Sequence, residues 1–295
     1  MLKTALVTGS TGFIGSNLIK HLSDDGWLLN VIIRPGSNLQ YFDSLWQMPN
    51  IHIFNGEFDS LRAILRNVKP DMVFHLASLF ISEHKPEDIT PLIFSNISFP
   101  TMLLEAMRLE GVKNIVNTGT GWQHFNGNSY DPVNLYAASK QAFQDILTYY
   151  VFAHEFNSLT LKLCDTYGAG DIRPKLVQLL IKSGKLNEEI LLSPGDQEID
   201  LVHVDDVSRA FLVAADMLLK NHLGNMSFGV SSSSPISIRN LVNRIEICCK
   251  LTIPVVWGGR PYRAREVMKT WKADPILPNW APLIGLTDGL SEFDY

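Results

Sequence analysis

The chain of 295 residues is poor in cysteine, carries no excess of positive charge and has no long apolar run. Its three cysteines are Cys164, Cys248 and Cys249. The adjacent pair cannot bridge without strain, and no CxxC spacing offers a metal or redox site. Buried thiols in a reducing compartment, and so a cytoplasmic protein, are the expectation. With 25 Lys and Arg against 30 Asp and Glu, the net charge is −5. A nucleic-acid partner, whose phosphates need a basic face, is thereby disfavoured. No stretch reaches the length of a membrane span, and the first residues lack the basic start and apolar core of a secretory leader. No metal site is expected. His203-Val-Asp205-Asp206 does not place a ligand set on one face, and Asp205 or Asp206 is expected to cap a helix over Val207–Leu219.

What is present is an ordinary globular balance, 46% hydrophobic and 19% charged. Short β-branched runs predict strands at Thr4–Thr8, Leu29–Ile33, Ile51–Asn55, Met72–Leu76, Ile115–Thr118 and Leu159–Leu163. Several are apolar throughout, as parallel strands covered on both faces must be. Helical patterns fall between them at Gly12–Ser23, Leu61–Asn67, Phe99–Glu110 and Leu135–Phe156. This repeat implies an α/β fold with a doubly wound parallel sheet and right-handed crossovers. Beyond about residue 165 glycine, proline and aspartate become frequent. Residues 1–165 are therefore read as the sheet domain and 166–295 mainly as a smaller substrate-binding lobe, with some later segments returning to the sheet.

Gly9-Ser10-Thr11-Gly12-Phe13-Ile14-Gly15 follows the first strand and opens the first helix. A tight turn needs glycine's tolerance of positive φ, and a close pyrophosphate needs a missing Cβ. The helix N-terminus adds free N–H groups and partial positive charge. The segment therefore predicts a dinucleotide site on a Rossmann-type sheet. The second strand runs into Arg34-Pro-Gly-Ser37, with no carboxylate for a ribose 2′-hydroxyl. Arg34, with Ser37 as a second donor, suits a 2′-phosphate, so NADP (as NADPH) is the expected cofactor.

The GxxGxxG spacing resembles the short-chain dehydrogenase/reductase family, and Tyr136-Ala-Ala-Ser-Lys140 is similar to its YxxxK signature. His203-Val-Asp-Asp206 and the closing Asn279-Trp-Ala-Pro282 are similar to the extended branch of that family, so the resemblance spans almost the whole chain. It implies that Leu76, Ala77 and Ser78 run beside the adenine ribose and that Asn96 is the structural asparagine of the cofactor half. It also implies that Glu57 and Phe58 lie near the adenine, although the family more often has aspartate there.

Removing a hydride from a carbinol carbon requires its proton to go elsewhere, and the reverse reduction needs a proton donor. A phenol is a weak base unless a cation lowers its pKa; Lys140, one helical turn from Tyr136, is expected to do so and to reach the nicotinamide ribose. Lined up with the family's serine-rich strand end, Thr120 takes the position of the hydroxyl that orients the reacting oxygen, with Thr118 as the fallback. Gly121-Trp-Gln123-His124 follows, with neither the acid pair of the family's dehydratases nor the cysteine of its ketone epimerases. Gln123 and His124 are expected to touch substrate, His124 as a second acid–base group or as pocket wall.

In the lobe, Asp165 stands where the extended branch has a substrate-binding asparagine. Arg173, Lys175, Arg260 and Arg263 are candidate diphosphate ligands, Arg260 fitting the family pattern best. The stretch from Thr118 to Tyr136 resembles the reductases that finish CDP-linked dideoxyhexoses, the abequose synthase type. The resemblance implies NADPH-dependent reduction of the 4-keto group of a nucleotide-linked 4-keto-6-deoxy or 3,6-dideoxy hexose. The alternatives are an NAD-dependent sugar-nucleotide 4-epimerase, a non-catalytic NADP-binding regulator and a reductase of a non-nucleotide carbonyl. Apolar residues on two helices (Met102, Leu103, Leu104, Phe143, Ile146, Leu147, Tyr150 and Val151) exceed what one sheet face needs, which predicts a homodimer through a helix bundle.

Overall fold

The computed structural model describes residues 2–42, 45, 47–273 and 275–293. Apolar runs too short for stable helices become parallel strands, and the amphipathic stretches between them become the crossovers that parallel pairing requires. In order these are β1 (Thr4–Thr8), α1 (Phe13–Asp24), β2 (Leu28–Ile33), β3 (Asn50–Ile53), α2 (Phe58–Val68), β4 (Met72–His75), α3 (Ile89–Ile93), α4 (Phe99–Leu109), β5 (Asn114–Thr120), α5 (Leu135–His154) and β6 (Asn157–Leu163). There follow β7 (Asp165–Tyr167), α6 (Leu176–Leu186), β8 (Ile190–Leu192), β9 (Glu198–Ile199), β10 (Leu201–His203), α7 (Val204–Lys220), β11 (Asn225–Val230), β12 (Ile236–Ser237), α8 (Ile238–Cys249), β13 (Val255–Trp257) and α9 (Leu286–Ser291).

Seven strands form one parallel sheet in the order β11-β6-β5-β4-β1-β2-β3. The order reverses between β1 and β4, and the crevice that binds ligands in such sheets opens at their carboxyl ends there. One face is covered by α1 and α7 through a core including Leu18, Leu22, Phe74 and Phe211. The other is covered by α2, α4 and α5 through Leu6, Leu65, Leu103, Phe143 and Leu147. Each such buried side chain contributes about 1.5–3 kcal/mol relative to exposure. A third cluster, with Tyr167, Leu180, Leu241 and Ile245, is built on β7, α6 and α8 outside the main sheet, where strands pair only two by two. Among the later elements, α7 and β11 return to the main sheet, β11 pairing with β6 from Ser158 to Leu163.

Three expectations change. The apolar residues invoked for a dimer are mostly consumed by the core: Leu103, Leu104, Phe143, Leu147, Tyr150 and Val151 are buried, and Met102 and Ile146 pack against them. The helix expected from Phe99 extends backwards through a π-helical turn at Phe94–Ser98 to α3. That wider turn ends two residues before Pro100, whose ring and missing N–H a regular α-helix interior would not accept. Finally, α7 starts three residues early, so His203 is its N-cap, its ring accepting from the Asp205 N–H at 3.3 Å. Asp205 and Asp206 therefore lie in the first turn, where negative charge complements the helix dipole. Asp205 pairs with His21 at 3.0 Å. Buried Asp206 holds Arg209 and the backbone N–H groups of Leu283 and Ile284, at 3.1 and 2.9 Å.

Candidate active site

The turn between β1 and α1 is built around missing side chains. Gly9 has φ +75°, and a Cβ on it would lie 2.5 Å from the Ala77 nitrogen and 2.6 Å from the Leu76 carbonyl carbon. A Cβ on Gly15 would lie 2.1 Å from the Gly9 oxygen. Gly12 caps α1 without a side-chain hydrogen bond, and the first turn carries no acid, so the helix end keeps its N–H groups and positive potential. Phe13 is buried under the Arg173 guanidinium, 4.9 Å above its ring. The backbone at Leu76 and Ala77 donates to Thr8, its carbonyl at 3.1 Å and its hydroxyl at 3.3 Å, drawing the segment after β4 against the turn.

Arg34 lies exposed where β2 ends, beside the start of the loop after β3, since Phe54 N–H donates to the Ile33 carbonyl at 2.9 Å. Among the described residues no group pairs with its guanidinium. The Ser37 hydroxyl donates to the Arg34 carbonyl at 2.8 Å. Glu57 caps α2 with its carboxylate exposed beside the Asn55 amide, and half-buried Phe58 packs on the core. Asn96 acts on the site through protein groups: it accepts from the Ser78 hydroxyl at 3.0 Å and the Leu79 N–H at 2.8 Å, and donates to Leu79 O and Ser139 Oγ.

Thr120 ends β5 and Tyr136 and Lys140 share the first turns of α5, whose N-cap Asn134 also donates to the Ser82 carbonyl at 2.9 Å. The Thr120 hydroxyl accepts from the Trp122 N–H at 3.2 Å and keeps its own proton to donate. The hydroxyl of Thr118, the fallback, is turned to the His75 carbonyl, donating to it at 2.8 Å. Burial pushes the Tyr136 phenol up to about 12; a hydrogen bond with Ser78 opposes this, as does Arg173, while Asp165 adds to it. Burial also brings the Lys140 ammonium down to about 8. It is 3% exposed, and among the described residues it has no hydrogen-bond or ion-pair partner. Burial therefore dominates at Tyr136, and the cation that pulls the phenol down is Arg173 rather than the expected Lys140. A glycine cradle, an uncapped helix end and a buried, unpartnered ammonium together fit a dinucleotide.

Phe80 and Trp122, which the sequence did not single out, wall this crevice. The Phe80 ring meets Tyr136 at 5.0 Å and Trp122 at 5.7 Å, and carries the Lys175 ammonium 3.7 Å from its centroid. Burial raises Asp165, opposed first by Lys175 and then by Arg173 and Arg263, with Asp200 adding to the rise. The charges of those three cations thus act on Asp165, whereas Arg260 lies exposed after β13, held by its N–H to the Leu192 carbonyl.

One expected substrate contact, Gln123, is corrected. Gln123 is 0% exposed, and its amide joins the Thr120 N–H to Gln141 and Gln144. His124 is buried with both ring nitrogens engaged, Nδ1 with the Asn128 carbonyl at 2.9 Å and Nε2 with the Lys162 ammonium at 2.8 Å. That engagement favours the pocket-wall reading over acid–base work on a substrate.

Residues 5–226 match the NAD dependent epimerase/dehydratase family. A CDP-abequose synthase of Yersinia pseudotuberculosis is 27% identical over 269 residues, covering 89% of this chain and 90% of the relative. The same enzyme of Salmonella muenchen is 25% identical over 271 residues, covering 91% and 88%. The UDP-glucose 4-epimerase of Brucella ovis, solved in complex with NAD, superposes with a TM-score of 0.87 at 20% identity, covering 98% of this chain and 96% of that one. With its parallel sheet, glycine turn and the crevice beside Tyr136 and Lys140, the chain belongs to the NAD dependent epimerase/dehydratase family.

Proposed function

We propose that this chain is an NADP-dependent reductase of the 4-keto group of a nucleotide-linked 4-keto-6-deoxy or 3,6-dideoxy hexose, within a family of sugar-nucleotide-modifying enzymes. The observation that carries the reading is the site's inventory. Thr120 ends β5, and Tyr136 and Lys140 lie in the first turns of α5, which packs on that strand, while Gly121, Trp122, Gln123 and His124 supply neither the acid pair of a dehydratase nor a cysteine. Similarity to two CDP-abequose synthases supports the substrate class.

The reduced nicotinamide, when bound, supplies the hydride. The Thr120 hydroxyl orients the keto oxygen by donating to it. Tyr136, held protonated by its raised pKa, transfers its phenolic proton to that oxygen as the carbinol forms. Lys140 stabilises the resulting phenolate and holds the ribose hydroxyls, and Gly9, Gly12 and Gly15 receive the pyrophosphate. Arg34 with Ser37 takes the 2′-phosphate. Arg173, Lys175 and Arg263 are the cations placed to take the substrate diphosphate, beside Asp165. The homodimer belongs to the same reading: α5 leaves Tyr149 and Phe152 outside the core, Phe152 being 79% exposed. A monomeric mass in light scattering at micromolar concentration counts against it.

The deciding measurement follows NADPH absorbance after addition of a CDP-linked 4-keto-6-deoxy sugar, with NADH in parallel. Loss of signal with NADPH, abolished by Tyr136→Phe, is expected. No loss with either cofactor, but interconversion of 4-hydroxyl sugars by the enzyme as purified, replaces the reductase with an NAD-bound 4-epimerase.

A further inference from the structure

Behind the Thr120 strand end lies a polar cluster that the proposed chemistry does not use. Lys162 on β6 pairs alongside Gly119 in the sheet, and a Cβ on Gly119 would lie 3.0 Å from the Lys162 Cγ. The missing side chain lets the lysine stem cross β5 and place its ammonium 2.8 Å from His124 Nε2. The other ring nitrogen faces the Asn128 carbonyl, which only accepts, so Nδ1 carries the proton and Nε2 accepts from Lys162. The imidazole so fixed stacks on Trp271 with centroids 4.3 Å apart and planes 18° from parallel. Gly121 makes room on the same side: a Cβ there would lie 3.5 Å from the Trp271 ring.

Trp271 belongs to the segment 260–273, which a second contact also fastens to the loop after β5. Arg265 pairs with Asp131 and lies over Phe125, 4.2 Å from its centroid. The same segment carries Arg263, one of the cations acting on Asp165. We propose that Lys162 is a positioning residue: through His124 it seats Trp271 on the catalytic strand, and so holds the 260–273 segment, with Arg263, over the substrate crevice.

The neutral imidazole is essential to this arrangement, because a protonated ring presents an N–H to the Lys162 ammonium and cannot accept from it. The charged groups around the ring are Lys162 from β6, Asp131 with its partner Arg265 at the bridge beside it, and Asp145 of α5 acting on Lys162. Burial first, and then the Lys162 charge, hold His124 below its ordinary value of 6.5, against the Asn128 and Ser129 carbonyls. The latch is therefore closed above that range and opens as the pH falls through the lowered pKa.

The structural test needs no substrate. Tryptophan emission of the full chain is titrated from pH 8 to 4, with circular dichroism confirming the fold. Protonation unseats Trp271 from the ring and exposes its indole to water, which lowers and red-shifts its emission, so an acid quench is expected in the wild type and absent from both His124→Phe and Trp271→Phe. Limited trypsinolysis after Arg263 or Arg265 is expected to quicken about tenfold in Lys162→Met, the loss of a charged hydrogen bond, and to return towards wild type in Lys162→Arg. An acid quench surviving in His124→Phe, or unchanged cleavage in folded Lys162→Met, overturns the proposal. On the reductase reading, Lys162→Met also raises KM for the nucleotide sugar while kcat stays nearly constant, the pattern of lost binding. If quench and cleavage behave as expected but no nucleotide sugar is reduced, the function above fails and the latch stands.

Discussion

The side-chain oxygen of Gln123 accepts from the backbone N–H of Thr120 at 3.0 Å, within a turn that also places the Thr120 hydroxyl under the Trp122 N–H. The Gln123 amide nitrogen completes the arrangement, donating to Gln141 at 2.6 Å and Gln144 at 3.1 Å on α5. One buried amide thus ties the strand end bearing Thr120 to the helix bearing Tyr136. Gln123→Leu keeps the volume but leaves the Thr120 N–H and two glutamine oxygens short of partners. A loss of about 1–3 kcal/mol in urea unfolding is expected, with a fall in kcat larger than any change in KM. A variant of wild-type stability and lowered substrate affinity alone would return Gln123 to the pocket surface.

The pH profile separates Tyr136 from Lys140. At about 12 the phenol stays protonated throughout the working range, so the group that changes charge there is Lys140, at about 8. Below that value it is an ammonium and supports the phenolate; above it the charge is lost. Activity is expected to decline as pH rises through about 8. In Lys140→Met that limb disappears and the rate is low at every pH. Tyr136→Phe is expected to cost about 10²–10⁴ in kcat, the usual worth of a positioned proton donor, while bound NADPH fluorescence persists. An alkaline limb unchanged in Lys140→Met would show that another group titrates.

The glycine turn allows a graded test, since two substitutions approach the same backbone oxygen at different distances. An added Cβ at Gly15 meets the Gly9 oxygen at 2.1 Å, and one at Gly12 meets it at 3.3 Å. Gly15→Ala must displace the turn, so it is expected to abolish cofactor binding and cost about 1–3 kcal/mol of stability. Gly12→Ala should be milder on both counts. Calorimetric titration with NADPH and thermal unfolding of each variant check the order; equal effects would mean that the turn is not the cradle.

These sites differ in how far they could be read in the chain. The glycine turn, the first-half strands and the Tyr136–Lys140 pair are local patterns, each contained within a few residues, and the structure places them within a residue or two of the expected bounds. The lobe was legible only as a loosening of pattern, because β8, β9, β10, β12 and β13 are two or three residues long, too short to show a period. Gln123 and His124 had their buried partners hidden for a related reason. Each follows Thr120 directly, yet the groups that claim them, Gln141, Gln144, Lys162 and Trp271, come from other elements. Phe80 carried no signal of its own; its role arises only where β4, α5 and the start of α6 converge.

Arg34 makes the cofactor preference testable on a single side chain. It stands exposed at the end of β2 without a partner among the described residues, and the Gly36 turn at φ +73° brings Ser37 back to donate to its carbonyl. The sequence has no carboxylate from Leu28 to Ser37 to take a ribose 2′-hydroxyl, and a guanidinium forms a two-pronged contact with a phosphate. Arg34→Ala should therefore raise KM for NADPH about 10- to 100-fold, the worth of a charged hydrogen-bonded pair, and leave KM for NADH nearly unchanged. Steady-state kinetics with both cofactors decides it. An equal loss with both would place Arg34 on the shared adenosine or pyrophosphate part of the dinucleotide, and a loss with neither would leave it a surface charge and favour the NAD-bound epimerase.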